Sequence, residues 1–79
     1  MLIMYWLSDG EIYHIITGYE TIEEFNPKRA EEFKKVFGFK YYDTINDFVL
    51  NRYVSFKIDL PTGELIYVGE GLPIQPPTL

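Results

Sequence analysis

Apolar residues open this chain almost without interruption. Leu2 to Thr17 reads as two apolar runs hinged on Asp9-Gly10. A type I′ hairpin turn needs positive φ at both central positions, and Asp-Gly is its strongest short-range signal. The pattern predicts a two-residue loop in which Ser8 faces Glu11, Leu7 faces Ile12, Trp6 faces Tyr13 and Met4 faces Ile15. Side chains alternate across a strand. One face would carry Ile3, Tyr5, Leu7, Ile12, His14 and Ile16, and the other Leu2, Met4, Trp6, Tyr13 and Ile15. Both faces are apolar, which a half-exposed antiparallel sheet does not need. Something has to cover the second face: the chain's own tail, a second copy, or a partner protein.

Gly18 and Tyr19 end the alternation, and Glu20 to Asn26 fits either a short helical turn or an approach segment. Asn26-Pro27 then reads as a helix start, with Asn26 as N-cap and Pro27 in the first helical position. The expected helix runs to Phe37, with Gly38 as its C′ stop. Ala30, Phe33, Val36 and Phe37 share its apolar face, and Lys35 lies within helical reach of Glu31 and Glu32. Phe39 to Tyr42 is a short connector. Thr44 followed by Asp47 resembles a capping box, so a second short helix is expected from Ile45 to about Asn51, with Ile45, Phe48 and Val49 inward.

Period-two alternation returns from Tyr53 to Val68, broken by Pro61-Thr62-Gly63 as a three-residue loop. That register sets Leu60 against Glu64, Ile58 against Ile66 and Phe56 against Val68. Val54, Phe56, Ile58, Ile66 and Val68 would face inward, with Tyr53, Ser55, Lys57, Asp59 and Tyr67 in water. Gly69 to Leu79 holds three of the five prolines and suits extended or polyproline II geometry. Residues 1–70 are therefore expected to form one domain, followed by a Pro-rich C-terminal tail at 71–79.

The fold expected is α+β in the order ββααββ: one four-stranded antiparallel sheet with two helices on one face. Its core would be Ile3, Tyr5, Leu7, Ile12, Ile16, Phe33, Phe37, Phe48, Phe56, Ile58, Ile66 and Val68.

Composition narrows the function. At 79 residues the chain is one domain with a thin core, and 47% hydrophobic residues supply it. Twelve carboxylates against seven Lys and Arg give a net charge of −5, which argues against phosphate-driven nucleic-acid binding and against anionic membranes. The absence of cysteine removes disulfides, thiolate metal sites and a thiol nucleophile. No apolar run approaches the roughly 20 residues of a membrane span, and no secretory signal is visible. A soluble, cytoplasmic protein is the expectation.

Candidate chemistry is sparse. His14 is the single histidine and has no evident orienting carboxylate, so it reads as structural. Glu23-Glu24 and Glu31-Glu32 are adjacent pairs whose side chains diverge, which suits a solvated face better than a metal site. Gly69-Glu70-Gly71 lacks the following helix that a phosphate cradle needs. The Tyr53, Lys57 and Tyr67 surface is too poor in cations for a base-stacking platform. Pro73-Ile74-Gln75-Pro76 has PxxP spacing but no flanking cation. The carboxylates are scattered among cations, against the one-sided array that an acidic nucleic-acid mimic requires. No catalytic residue, metal or cofactor is expected.

What remains is the face of Met4, Trp6, Tyr13 and Ile15. Tryptophan and tyrosine dominate interface hot spots because they bring large area at little rotamer entropy. The expectation is a non-enzymatic protein-binding module, acting as adaptor, inhibitor or neutralising partner. Compact acidic domains of this kind are common among phage and mobile-element proteins that block a host protein, a compositional association only. The alternative is a homodimer formed through the same face.

Overall fold

A computed structural model describes residues 1–69. The expectations attached to the Pro-rich tail lie outside these residues. The architecture is α+β, with five strands in two antiparallel sheets and three short helices. The strands are β1 (Leu2–Trp6), β2 (Ile12–Ile16), β3 (Phe37–Tyr41), β4 (Phe56–Asp59) and β5 (Glu64–Tyr67). The helices are α1 (Ile22–Phe25), α2 (Ala30–Phe33) and α3 (Asp47–Asn51), and a 3-10 turn covers Tyr53–Ser55. Instead of one four-stranded sheet there is a three-stranded sheet ordered β2-β1-β3 and a separate β4-β5 hairpin. The helices do not share one face.

The main correction is β3. The helix expected from Pro27 to Phe37 forms only over α2, between turns at residues 27–29 and 34–36. Phe37 to Tyr41 instead extends along β1, pairing Trp6 with Phe37, Tyr5 with Gly38 and Ile3 with Lys40. Gly38 is not a helix stop, and its φ is not positive. It is a strand glycine whose missing Cβ makes room for the Tyr5 ring across the pair. Aromatic side chains at 37, 39 and 41 suit a pleated surface. Tertiary pairing with β1 therefore outweighs the local helix-stop signal.

Both hairpins turn through four-residue loops rather than the shorter ones expected. In the first, Trp6 N–H donates to Glu11 O at 2.9 Å and Gly10 N–H to Trp6 O at 2.8 Å. Only Gly10 has positive φ, at 83°, so Asp9-Gly10 is not a type I′ pair. Asp9 acts through its side chain, Oδ1 accepting Glu11 N–H at 2.8 Å. Tyr5 consequently pairs with Ile12, and a bulge at Tyr13 brings Met4 opposite His14 and Leu2 opposite Ile16. Ile12 and Tyr13 keep their expected faces, whereas His14, Ile15 and Ile16 exchange theirs.

In the second hairpin Asp59 O accepts from Thr62 N–H at 3.2 Å and Gly63 N–H at 2.7 Å, and Gly63 sits at φ 72°. Ile58 then opposes Leu65, and Phe56 opposes Tyr67. Leu65 and Tyr67 pack on the core, replacing the Ile66 and Val68 expected there. Val54, also expected inside, is 81% exposed in the 3-10 turn.

Local capping explains two of the helices. Thr21 Oγ1 accepts Glu24 N–H at 3.2 Å, capping α1, and its hydroxyl donates to Glu24 Oε1 at 3.3 Å. Asn46, not Thr44, caps α3, its Oδ1 accepting Val49 N–H at 3.2 Å.

The three-stranded sheet is buried on both faces by its own chain. Leu2 and Ile16 meet Ile22, Ala30 and Phe33 of α1 and α2 on one side. Met1, Ile3, Ile12 and Ile15 meet Val49, Phe56 and Ile58 on the other. This double cover accounts for the doubly apolar first hairpin. The two sheets touch where Ile58 N–H donates to Gly10 O at 2.8 Å, beside an antiparallel bridge between Glu11 and Lys57.

Candidate functional site

The internal cover stops short at the hairpin-loop end of the three-stranded sheet. There the bulge projects Tyr13 onto the face that carries Trp6, and Phe37 completes a three-ring cluster drawn from all three strands. Trp6 lies 5.3 Å from Tyr13 edge-on and 4.3 Å from Phe37, with Tyr13 and Phe37 4.9 Å apart between ring centroids. Phe37 is the buried member of this cluster and also meets Phe33 at 6.4 Å. Trp6 remains 37% exposed and Tyr13 52% exposed. The three rings brace one another, so the exposed area is held in a fixed shape.

Leu7 and Val36, both exposed, continue the patch past the strand ends, where Leu7 N–H donates to Val36 O at 3.0 Å. An open depression of about 470 Å³ lies here, lined by Trp6, Leu7, Ser8, Lys35 and Val36. Lys35 supplies a cation at its rim. The surface therefore offers aromatic and aliphatic area with one positive charge beside it.

Of the four residues singled out from sequence, the structure brings Trp6 and Tyr13 together. Met4 shares their face but is only 4% exposed, and Ile15 points into the opposite core at 8% exposure. Leu7 and Val36 belong to the surface, with Phe37 buried beneath it, although the sequence assigned them to core or helix. No period-two or helical pattern signals them, because β3 places them beside Trp6 through pairing across 30 residues of chain.

Elsewhere the polar chemistry is dispersed. His14 is exposed on β2 opposite Met4. No group of three or more His, Asp or Glu side chains converges among the described residues. Lys34 Nζ donates to Glu23 Oε2 at 2.6 Å, which lowers the Glu23 pKa and raises that of Lys34. Desolvation, then the charges of Glu20, Asp43 and Glu24, raise the Tyr41 hydroxyl above its ordinary value. None of the described helices is long and apolar enough to cross a membrane.

Comparison with protein-family models, curated proteins and solved structures finds no match to this chain.

Proposed function

We propose that the protein is a non-enzymatic protein-binding domain, an adaptor, inhibitor or neutralising partner whose anchors are Trp6 and Tyr13. The observation that carries this reading is the exposed Trp6–Tyr13 pair, braced from below by the buried Phe37 ring while its outer faces stay in water. Pre-packed aromatics lose little freedom on docking, and that is the property of interface hot spots. Leu7 and Val36 extend the apolar area, and Lys35 adds a cation that favours an acidic neighbour on the partner.

The test uses the full chain as bait in a lysate of its native host, beside a Trp6→Ser/Tyr13→Ser variant whose fold is checked by circular dichroism. A single protein retained by the wild type and lost by the folded variant is then purified and titrated. Loss of both anchors is expected to weaken binding by about 30-fold or more. Equal affinity for the variant refutes the assignment, as does a bait that retains nothing. A chain that pairs with itself through this patch would show instead a mass that falls on making the variant.

A further inference from the structure

Among the described residues the outer edge of β3 is open. β1 pairs with one side of this strand, and among the described residues no strand pairs with the other. Met1 and Tyr42 exchange both backbone hydrogen bonds, at 2.6 and 2.9 Å. Antiparallel alternation then turns the backbone groups of Gly38 and Lys40 toward β1, and those of Phe37, Phe39 and Tyr41 outward. Proteins commonly guard such an edge with proline or a bulge. β3 contains no proline and pairs with β1 without a register shift, and its one charged residue, Lys40, turns its backbone groups toward β1.

The two ends of this edge carry opposite charge. Lys35 lies two residues before the strand and Asp43 two residues after it. Neither forms an ion pair among the described residues, whose bridges join Arg29 to Glu32 and Lys34 to Glu23 and Glu31. The charges of Glu20, Asp43 and Glu24 act on Tyr41 at the acidic end.

We infer that β3 pairs with β3 of a second copy of this chain, antiparallel about a two-fold axis at Phe39, making one continuous sheet. This register uses every outward backbone group of the strand. Phe37 faces the second copy's Tyr41 and Phe39 faces its own symmetry mate, and the turn that carries Lys35 comes beside the bend that carries the second copy's Asp43, twice by symmetry. Lys40 faces the second copy's Gly38, where no Cβ intrudes and the Tyr5 ring lies alongside. The charge match at both ends selects a second copy of this chain over an arbitrary strand.

A two-fold axis between antiparallel strands is perpendicular to the sheet. Both Trp6–Tyr13 patches therefore emerge on the same face, and the dimer is a bivalent form of the proposed binding domain. That consequence rests on the proposed function. The pairing itself does not, and it is tested without any partner.

Sedimentation equilibrium of the full chain is expected to show a species of twice 9.3 kDa that dissociates on dilution. Lys35→Glu alone and Asp43→Lys alone each place like charges opposite one another and weaken the dimer by about tenfold or more. The double reversal restores the pairs and returns the dissociation constant to within about threefold of wild type. Amide exchange at Phe37, Phe39 and Tyr41 slows as the dimer forms, while Gly38 and Lys40 are protected in both states. A monomer up to about 500 µM overturns the inference. So does a dimer indifferent to the single reversals, a folded double reversal that fails to recover, or outward amides that exchange equally fast in the dimer. Trp6→Ser/Tyr13→Ser leaves the dimer intact, because neither side chain lies on β3, although Lys35 borders both surfaces.

Discussion

Gly10 holds the aromatic hairpin to the second sheet, and replacing it with alanine tests that junction. Its φ of 83° lies where L side chains are disfavoured, a strain of about 1–2 kcal/mol for alanine. A Cβ there would also overlap the carbonyl oxygen of Ile58, whose own N–H donates to Gly10 O at 2.8 Å. Relieving that overlap means moving backbone on one side, because the obstructing atom is not a flexible side chain. The hydrogen bond then lengthens or breaks, adding about 1 kcal/mol and some loss of packing around Ile58. The expected total for Gly10→Ala is about 2–3 kcal/mol before any loss of packing. Gly63 is the internal control, since its φ of 72° carries similar strain but nothing lies within 4 Å of its Cβ position. Gly63→Ala should lose only the strain, about 1–2 kcal/mol. Urea unfolding followed by emission of Trp6, the single tryptophan, gives both values at comparable m. Equal losses for the two variants would refute the claim that Gly10 is a packing junction as well as a turn residue.

The bulge at Tyr13 makes a second contrast: Ile15→Ala should cost about 2–5 kcal/mol, whereas His14→Ala on the exposed side stays within about 0.5 kcal/mol. The reverse order in urea denaturation would mean that the sequence-derived register is right and the bulge is absent. The Glu23–Lys34 pair sets a pH dependence. Because the folded-state pKa of Glu23 is lowered by the Lys34 hydrogen bond, its contribution is complete above the ordinary carboxylate range and is lost as pH falls through the lowered value. Carbon-detected titration should find the Glu23 midpoint depressed in wild type and returned upward in Lys34→Met; an unchanged midpoint would remove the pair as its cause.

How much of this was legible beforehand depends on the range of the interaction. The two hairpins, the α3 segment and the apolar character of both faces of the first hairpin follow from residues within a few positions of one another. Their registers did not follow, because each was inferred from an assumed loop length. At both turns the loop closes over four residues through an aspartate: Asp9 binds Glu11 N–H with its side chain, and Asp59 gathers Thr62 and Gly63 with its carbonyl. A one-residue slip exchanges the faces of a strand, and that is why Leu65 and Tyr67 took the place of Ile66 and Val68 inside.

The candidate surface divides along the same line. Trp6 and Tyr13 stood out from residue type and their position near one turn, and the bulge keeps them together. Met4 and Ile15 were grouped with them by alternation, but α1 and α2 contribute the core beside one strand face and the second sheet covers the other. Leu7, Val36 and Phe37 join the patch only because β3 pairs with β1.

The sequence by itself determined a small acidic α+β chain, the places where it turns, and an N-terminal hairpin too apolar to stand uncovered. Tertiary structure decided which segments cover that hairpin, that residues 37–41 extend rather than coil, and which aromatic rings stay in water. Turns and caps depend on contacts a few residues apart, whereas strand pairing is decided by partners distant in sequence. For Gly38, the decisive neighbour is Tyr5, and no local pattern around residue 38 contains it.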